Sequence, residues 1–285
     1  MEKMKDSNGS SYFVDLHLHT TRSDGTLSPK ELVGLASREN IGKIAITDHD
    51  TVEGVQDGQQ EASRLGLECI AGIEVSSRCS DGILHILGYG IEVGNVALQD
   101  GLAEFQAARR QRNDRIVAKL RDLGIAIGNE ELRQFDRNTS SPGRPHIASV
   151  LVNRGIVATM DEAFRRYLGK TGAAFVEKEI FSSAETIKLL HDAGGKAYVA
   201  HPISLKRQGD RLVRYIDRLC REGLDGIEVY APSHSEKRIE EFRNLALRLN
   251  LGISAGSDFH GATKPNAQIG IANNGKRATS DLISV

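Results

Sequence analysis

In the stretch YFVDLHLHTTRSDGT (12–26), apolar and polar side chains alternate one for one, with Val14, Leu16 and Leu18 set against Asp15, His17 and His19. Neighbouring side chains of a strand point to opposite faces, so the pattern predicts a strand with one apolar face and one face of a carboxylate and two imidazoles. A half-solvated strand reads the same way. Two imidazoles on one face, however, sit close enough to share a cation, with Asp15 expected to orient one ring from behind. The period then changes. SPKELVGLASREN predicts a helix opened by Ser28, with Pro29 in its first turn and Glu31 completing a capping box. KIAIT (43–47) is a short buried strand ending in DHDT, and GVQDGQQEASRLG is a helix. LECIAGIEVSS is a strand through Glu74, and GILHILGYGI (82–91) a strand with His85 alone among aliphatics.

From 95 to 178 the strand pattern disappears. NVALQDGLAEFQAARRQRNDRIVAKLRDLG is one long helix with Leu102, Phe105, Ile116, Leu120 and Leu123 at helical spacing, followed by shorter helices in NEELRQF, PHIASVLVNRG and MDEAFRRYLG. Helix and strand alternate again through SSAETIKLLHDAGG, KAYVAHP, RLVRYIDRLCREG and LDGIEVY. A helix capped by Ser233 (SHSEKRIEEFRNLALRLN) and a last strand, GISAGSDFHG, complete the series. The Gly/Asn-rich tail reads as irregular. Such alternation predicts an α/β fold with a parallel sheet and helical crossovers. The chain divides into a discontinuous α/β domain over 12–94 and 179–285 and an all-helical insertion, or lid, over 95–178.

Composition narrows the class. The 285 residues are 39% hydrophobic and 26% charged, enough for a substantial core, and a net charge of −1 gives no general attraction for polyanions. MEKMKDSNGSSY lacks the apolar core of a signal peptide, and no run is long enough to span a bilayer. Cys69, Cys79 and Cys220 are scattered and odd in number, as reduced thiols are. A cytoplasmic protein with no membrane contact and no obligate protein partner is expected.

The candidate chemistry lies at the strand ends. His17, His19, Asp48, His49, Glu74, His85, His201, Asp258 and His260 fall in or at the ends of predicted strands, and Asp24 lies in the SDGT loop just after the first. In a barrel of parallel strands the C-terminal ends meet at one face, so segments ending in HLH, TDHD, GIE, AHP and SDFH converge on one bowl. Imidazoles and carboxylates without thiolate suit Zn, Mn or Fe. So many ligands exceed what one ion needs, and two or three ions sharing a bridging carboxylate fit better. Closely spaced ions are a common device for displacement at phosphorus.

In this order, DLHLHTTRSDGT, ITDHDT, GIE, ILHILGYG, VAHP and GSDFHG resemble the PHP (polymerase and histidinol phosphatase) phosphoesterase family. The resemblance covers about 12–95 and 180–262, and the helical insertion resembles the subgroup acting on nucleotide 3′,5′-bisphosphates and short oligonucleotides. It implies a distorted (β/α)7 TIM-like barrel with a trinuclear metal site. His17, His19, Glu74 and Asp258 would hold the first ion. Glu74 would bridge to a second completed by His85 and His201, and Asp24, His49 and His260 would hold the third. Some relatives have His where this chain has Asp24. Asp48 and Asp50 are expected in turns, not as ligands. His17, His19, Glu74, His201 and Asp258 form the expected catalytic core, around a metal-activated hydroxide that attacks phosphorus.

A phosphate clamp is expected from Arg144 in SSPGRPHIAS, where Pro145 starts a helix, with His146 and His234 as further substrate contacts at helix starts. Arg109, Arg110, Arg112, Arg115, Lys119 and Arg121 read as a solvated helix face, with a basic rim guiding a nucleotide or short oligonucleotide to the bowl as the alternative. The expected reaction is hydrolysis of phosphate monoesters of small nucleotides, with the 3′-phosphate of nucleoside 3′,5′-bisphosphates as first choice. Alternatives are a 5′→3′ exonuclease on short RNA or DNA and a histidinol-phosphate phosphatase. A non-enzymatic docking module and an amide-hydrolysing metal enzyme rank below them.

Overall fold

The computed structural model describes residues 11–80, 82–128, 131, 143–177 and 181–285. Nine strands form one sheet in the order β7-β6-β5-β4-β3-β2-β1-β9-β8. They are β1 (Phe13–Leu18), β2 (Ile41–Ile46), β3 (Glu68–Ser77), β4 (Leu84–Tyr89), β5 (Lys196–Val199), β6 (Gly226–Tyr230), β7 (Gly252–Ala255), β8 (Ile271–Asn273) and β9 (Lys276–Thr279). The sheet curls until its sequence ends almost meet. Just beyond β7, Phe259 bridges Leu18 in parallel, and the His19 amide donates to the Phe259 carbonyl at 3.0 Å. The result is a nearly closed α/β barrel.

Helices α1 (Pro29–Arg38), α2 (Val55–Leu65), α3 (Val96–Asp122), α4 (Arg144–Asn153), α5 (Met160–Ala163), α6 (Ser183–Asp192), α7 (Gly209–Arg221) and α8 (Glu236–Arg248) surround or extend it. A π-helical turn, Phe164–Leu168, follows α5. Ser28 and Glu31 form the capping box expected of α1. The cap of α8 is Ser235, not Ser233, because the chain first makes a turn at 232–233. The helix expected in NEELRQF lies outside the described residues, apart from Glu131, as do the first ten residues.

The sheet departs from uniform parallel order at β4, which runs antiparallel to both β3 and β5. Only six residues separate β3 from β4, too few for the helical crossover that parallel pairing requires. His85 therefore stands near the N-terminal end of its strand, yet at the same barrel end as the C-termini of the others.

The tail is more ordered than its composition predicts. Asn274 (φ 45°) and Gly275 (φ 78°) make the positive-φ turn of a β8–β9 hairpin, and β9 pairs antiparallel with β1. The ANNGKR stretch carried that turn signal.

Two hydrophobic clusters divide α3. Leu98, Leu102 and Phe105 belong to the barrel's cluster, whereas Ile116, Val117 and Leu120 pack with Ile147, Leu151 and Leu168 in a separate one. The helix thus carries the helical segment away from the barrel. Its basic residues are not a solvated face throughout. Arg112 is buried and donates to the Val176 carbonyl at 3.0 Å, Lys119 donates to Phe175, and Arg109 reaches the barrel. The helix is covered on more sides than its scattered charges suggest. Among the described residues no helix is long and apolar enough to cross a membrane.

Candidate metal centre

β1 brings His17, and just past its end His19, to the bowl; Val14, Leu16 and Leu18 are fully buried, Leu18 against Leu32 and Val33 of α1 and Leu16 in a cluster with Tyr89 and Tyr198. Asp15 shares the histidines' parity but does not touch either ring. Its Oδ1 accepts from the amides of Ser257 and His17 and its Oδ2 from Gly270, so it pins the backbone after β7 to β1. Burial pushes its carboxyl up to about 6 in spite of these bonds. The ring is oriented from elsewhere. Glu228 of β6, fully buried, faces His17 Nδ1 at 2.9 Å and accepts the His201 amide at 2.5 Å. The strand signal in LDGIEVY marked position 228 as sheet but gave no reason to single out its carboxylate.

Glu74 is the hub. Its Oε2 lies 3.2 Å from His17 Nε2, 3.1 Å from His19 Nε2 and 3.1 Å from His49 Nδ1. Its Oε1 lies 2.8 Å from His85 Nδ1 and 3.0 Å from His201 Nε2. Asp258 Oδ1 is 3.5 Å from both His17 Nε2 and His19 Nε2, while its Oδ2 takes the Lys264 ammonium at 2.6 Å. Asp24 Oδ1 is 3.2 Å from His260 Nε2, and Asp24 Oδ2 is 4.0 Å from His49 Nε2. All nine expected ligand residues therefore meet in one bowl. Asp258 (φ 52°) and His201 (φ 25°) hold backbone conformations that side-chain-bearing residues seldom adopt, a cost that recurs at functional sites.

Three sub-groups stand out, each with ligand atoms within 4.8 Å of one another: His17, His19, Glu74 and Asp258; His19, Asp24, His49 and His260; and His49, Glu74 and His85. His201 joins the last through Glu74 Oε1 rather than as a member.

Does this set fit metal ions? His17 Nε2, His19 Nε2, His49 Nδ1, His260 Nε2 and Glu74 Oε2 are buried and make no hydrogen bond. Buried polar atoms are nearly always satisfied, so several orphans aimed at common points fit ions held between them. Nitrogen and oxygen donors without sulfur match Zn, Mn or Fe, and Cys69, Cys79 and Cys220 are free thiols elsewhere.

The electrostatics agree with that fit. Burial pushes the Glu74 carboxyl up, but His49, His17 and His85 outweigh it and hold the group well below the usual carboxylate range. Burial likewise opposes ionisation of Asp24 and Asp258. His260 and His49 overcome it for Asp24, and Lys264 and His17 for Asp258, so both stay anionic. Burial pulls His19 down, yet Asp258 and Glu74 raise it to about 9. Burial and nearby imidazoles leave His49 and His260 below the ordinary value.

Asp48 and Asp50 lie outside the ligand set. Asp48 accepts from the Thr20 amide (2.7 Å), the Thr20 hydroxyl and Ser23, and so shapes the loop that carries Asp24. Asp50, fully buried, accepts the Ser76 amide at 2.8 Å and Arg109 Nε at 2.6 Å.

The expected substrate residues are less uniform. His146 Nδ1 accepts the Gly143 amide at 3.0 Å, and its ring lies by the Ser23 backbone and Asp24, at the bowl. Arg144 donates to the Leu168 carbonyl at 3.0 Å, with its guanidinium 5.6 Å from the Phe164 ring centre, inside the helical segment. His234 is enclosed against Phe242 and its Nδ1 donates to the Val229 carbonyl, leaving Nε2 buried without a partner. Lys264, the partner of Asp258, carried no sequence signal, since nothing local marks one lysine in an irregular tail.

Comparison with known proteins adds an independent line. The PHP domain model matches residues 15–88. The chain is 34% identical over 248 residues to the 5′-3′ exoribonuclease Rnm of Salmonella typhimurium, covering 86% of this chain and 84% of that one. It is 32% identical over 257 residues to the 3′,5′-nucleoside bisphosphate phosphatase of Chromobacterium violaceum, covering 90% of each. A solved structure described as an amidohydrolase from Chromobacterium violaceum, with bound sulfate and no metal, superposes with a TM-score of 0.82 at 33% identity. That match covers 94% of this chain and 91% of the other.

Proposed function

This chain belongs to the PHP family and is a metal-dependent phosphoester hydrolase, and on that premise we propose that its substrate is a nucleoside 3′,5′-bisphosphate from which it removes the 3′-phosphate. The observation that carries the metal assignment is the set of orphaned nitrogens and the Glu74 oxygen in the bowl. In this reading three ions, of Mn, Zn or Fe, are held. His17, His19, Glu74 and Asp258 hold one. Glu74, His85 and His201 hold the second, with His49 near enough to share it, and Asp24, His49 and His260 hold the third. The chemistry that bound divalent ions supply at such a site is Lewis acidity toward phosphoryl oxygens and a lowered pKa for water.

The protein's own part is positioning. Glu228 fixes the tautomer of His17 by accepting from Nδ1, so that Nε2 offers its lone pair to the bowl. Lys264 occupies one oxygen of Asp258 and leaves the other facing His17 and His19. His146, set beside Asp24 by the helical segment, is the residue best placed to meet a phosphate or the departing oxygen. Support for the bisphosphate comes from the relative of that name, which aligns over 90% of both chains.

Phosphate release from adenosine 3′,5′-bisphosphate in the presence of Mn²⁺ tests this, with Asp258→Ala as control. Turnover that falls by at least about 10³-fold in the variant is expected, since a ligand common to the transition state is lost. Preference for histidinol phosphate would overturn the substrate assignment, and unchanged turnover by the variant would overturn the site.

A further inference from the structure

A second concave surface lies apart from the bowl. A cavity of about 630 Å³ opens between the loop leaving β3, the loop leaving β5, and helices α6 and α7. Arg78, Arg207, Arg211, Arg214 and Arg218 line it, and no described lining residue is acidic. Three of these stand on one stripe of α7, at positions i, i+3 and i+7, with Tyr215 among them. The Arg207 guanidinium lies 4.0 Å and that of Arg218 4.7 Å from the Tyr215 ring centre. The N-terminus of α6, capped by Ser182, adds its positive end to the same wall.

What sets these arginines apart is that five of them face one cavity. Elsewhere Arg64 and Arg221 each pair with a carboxylate one turn away on their own helix, and Arg166 pairs with Glu162 four residues before it. Arg218 has such a partner in Glu222 at 3.7 Å. Among the described residues Arg211 and Arg214 have no acidic partner. Like charges gathered round one cavity repel, and a multivalent anion relieves that repulsion.

The same two chain segments build the bowl and the cavity. β3 puts Glu74 in the bowl and leads to Arg78 four residues on, a span of roughly 13 Å at about 3.3 Å per residue. The segment after β5 begins with His201, whose Nδ1 lies 3.0 Å from Ser204 Oγ, and then delivers Arg207 to the cavity.

We propose that this cavity is a second phosphate site, which holds backbone phosphates of a single-stranded oligonucleotide whose terminal phosphoester lies in the bowl. The proposal rests on the phosphoester reading of the bowl. A guanidinium fork matches the paired oxygens of a phosphodiester. Only a strand longer than one nucleotide gains from contacts in both places, so the cavity selects length rather than base.

The test is the double variant Arg211→Ala/Arg214→Ala, both on the exposed face of α7 and outside the metal bowl. Anisotropy would be followed with a short labelled RNA blocked at its terminal linkage by phosphorothioate, Mn²⁺ present, across a salt series. Loss of two contacts is expected to weaken binding by about tenfold and to flatten the log–log salt slope by about 1.4, at roughly 0.7 per phosphate contact. The kcat/KM for adenosine 3′,5′-bisphosphate should stay unchanged. RNA affinity and slope identical to wild type would overturn the proposal, even in an active enzyme. A variant that loses RNA affinity while neither protein hydrolyses the bisphosphate would leave the cavity standing and refute the bisphosphate alone. Tripolyphosphate that binds the wild type and not the variant, while RNA binds both alike, would assign a free polyphosphate and end the strand assignment.

Discussion

Glu228 shows how much one side chain outside the ligand set decides. It is fully buried, touches His17 Nδ1 and the His201 amide, and so ties the His17 ring to the backbone of a segment far away in sequence. The isosteric Glu228→Gln keeps the shape but removes the charge that favours the Nδ1–H tautomer. Metal affinity, measured by competition with a chromophoric chelator, is expected to fall about 10- to 100-fold with little change in melting temperature. Unaltered affinity would mean that packing alone orients His17. Asp15 carries the converse lesson. Period 2 put it on the histidines' face, but its oxygens are consumed by three backbone amides. A parity argument gives the face of a side chain and not its partner.

Among the elements, α3 has a double role. Its first half packs in the barrel's cluster and its second half in the separate helical one. Between them Arg109 reaches from the helix to Asp50, in the loop after β2, with its Nη2 at 2.5 Å. That contact ties the helical segment to the strand end that carries His49. Removing one partner of a buried ion pair strands the other, so Arg109→Ala is expected to cost about 3 kcal/mol in urea unfolding. Asp50 keeps the Ser76 amide, which holds the loss to the lower end of the usual range. Arg109→Lys should recover part of it, and a cost near zero for Arg109→Ala would show that the latch is solvated. Helical periodicity placed α3 but said nothing of Arg109, because a charged residue on a helix reads as solvent-facing until its neighbours are known.

For the molecule as a whole, folding brings four carboxylates, Asp24, Glu74, Glu228 and Asp258, into one nearly dry bowl. Without ions, protons on the imidazoles offset part of that charge, as the raised pKa values of His17, His19 and His201 indicate. Metal binding must displace those protons, so affinity falls as pH falls. Mn²⁺ at about a hundred times its Kd is expected to stabilise by about 2.7 kcal/mol, a rise in melting temperature of about 5 °C. The rise should be reversed by chelator and smaller at pH 6 than at pH 8, as calorimetry would show. A melting temperature indifferent to Mn²⁺ and chelator at both values would remove the ions from the folded state.

Much of this protein was settled by local pattern. The alternation of DLHLH, the capping box at Ser28 and the helical spacing from Leu102 to Leu120 are short-range features, and each became the expected element. The residues that meet in the bowl were legible because a polar residue at the end of an apolar strand stands out locally, and barrel geometry brings strand ends together. What remained for the tertiary structure were relations between distant segments: Glu228 against His17, Lys264 against Asp258, Arg109 against Asp50, and the reversed β4 that still delivers His85 to the bowl. Period and propensity act over a few residues. The partner of a buried charge is fixed only when the closed barrel decides which segments meet.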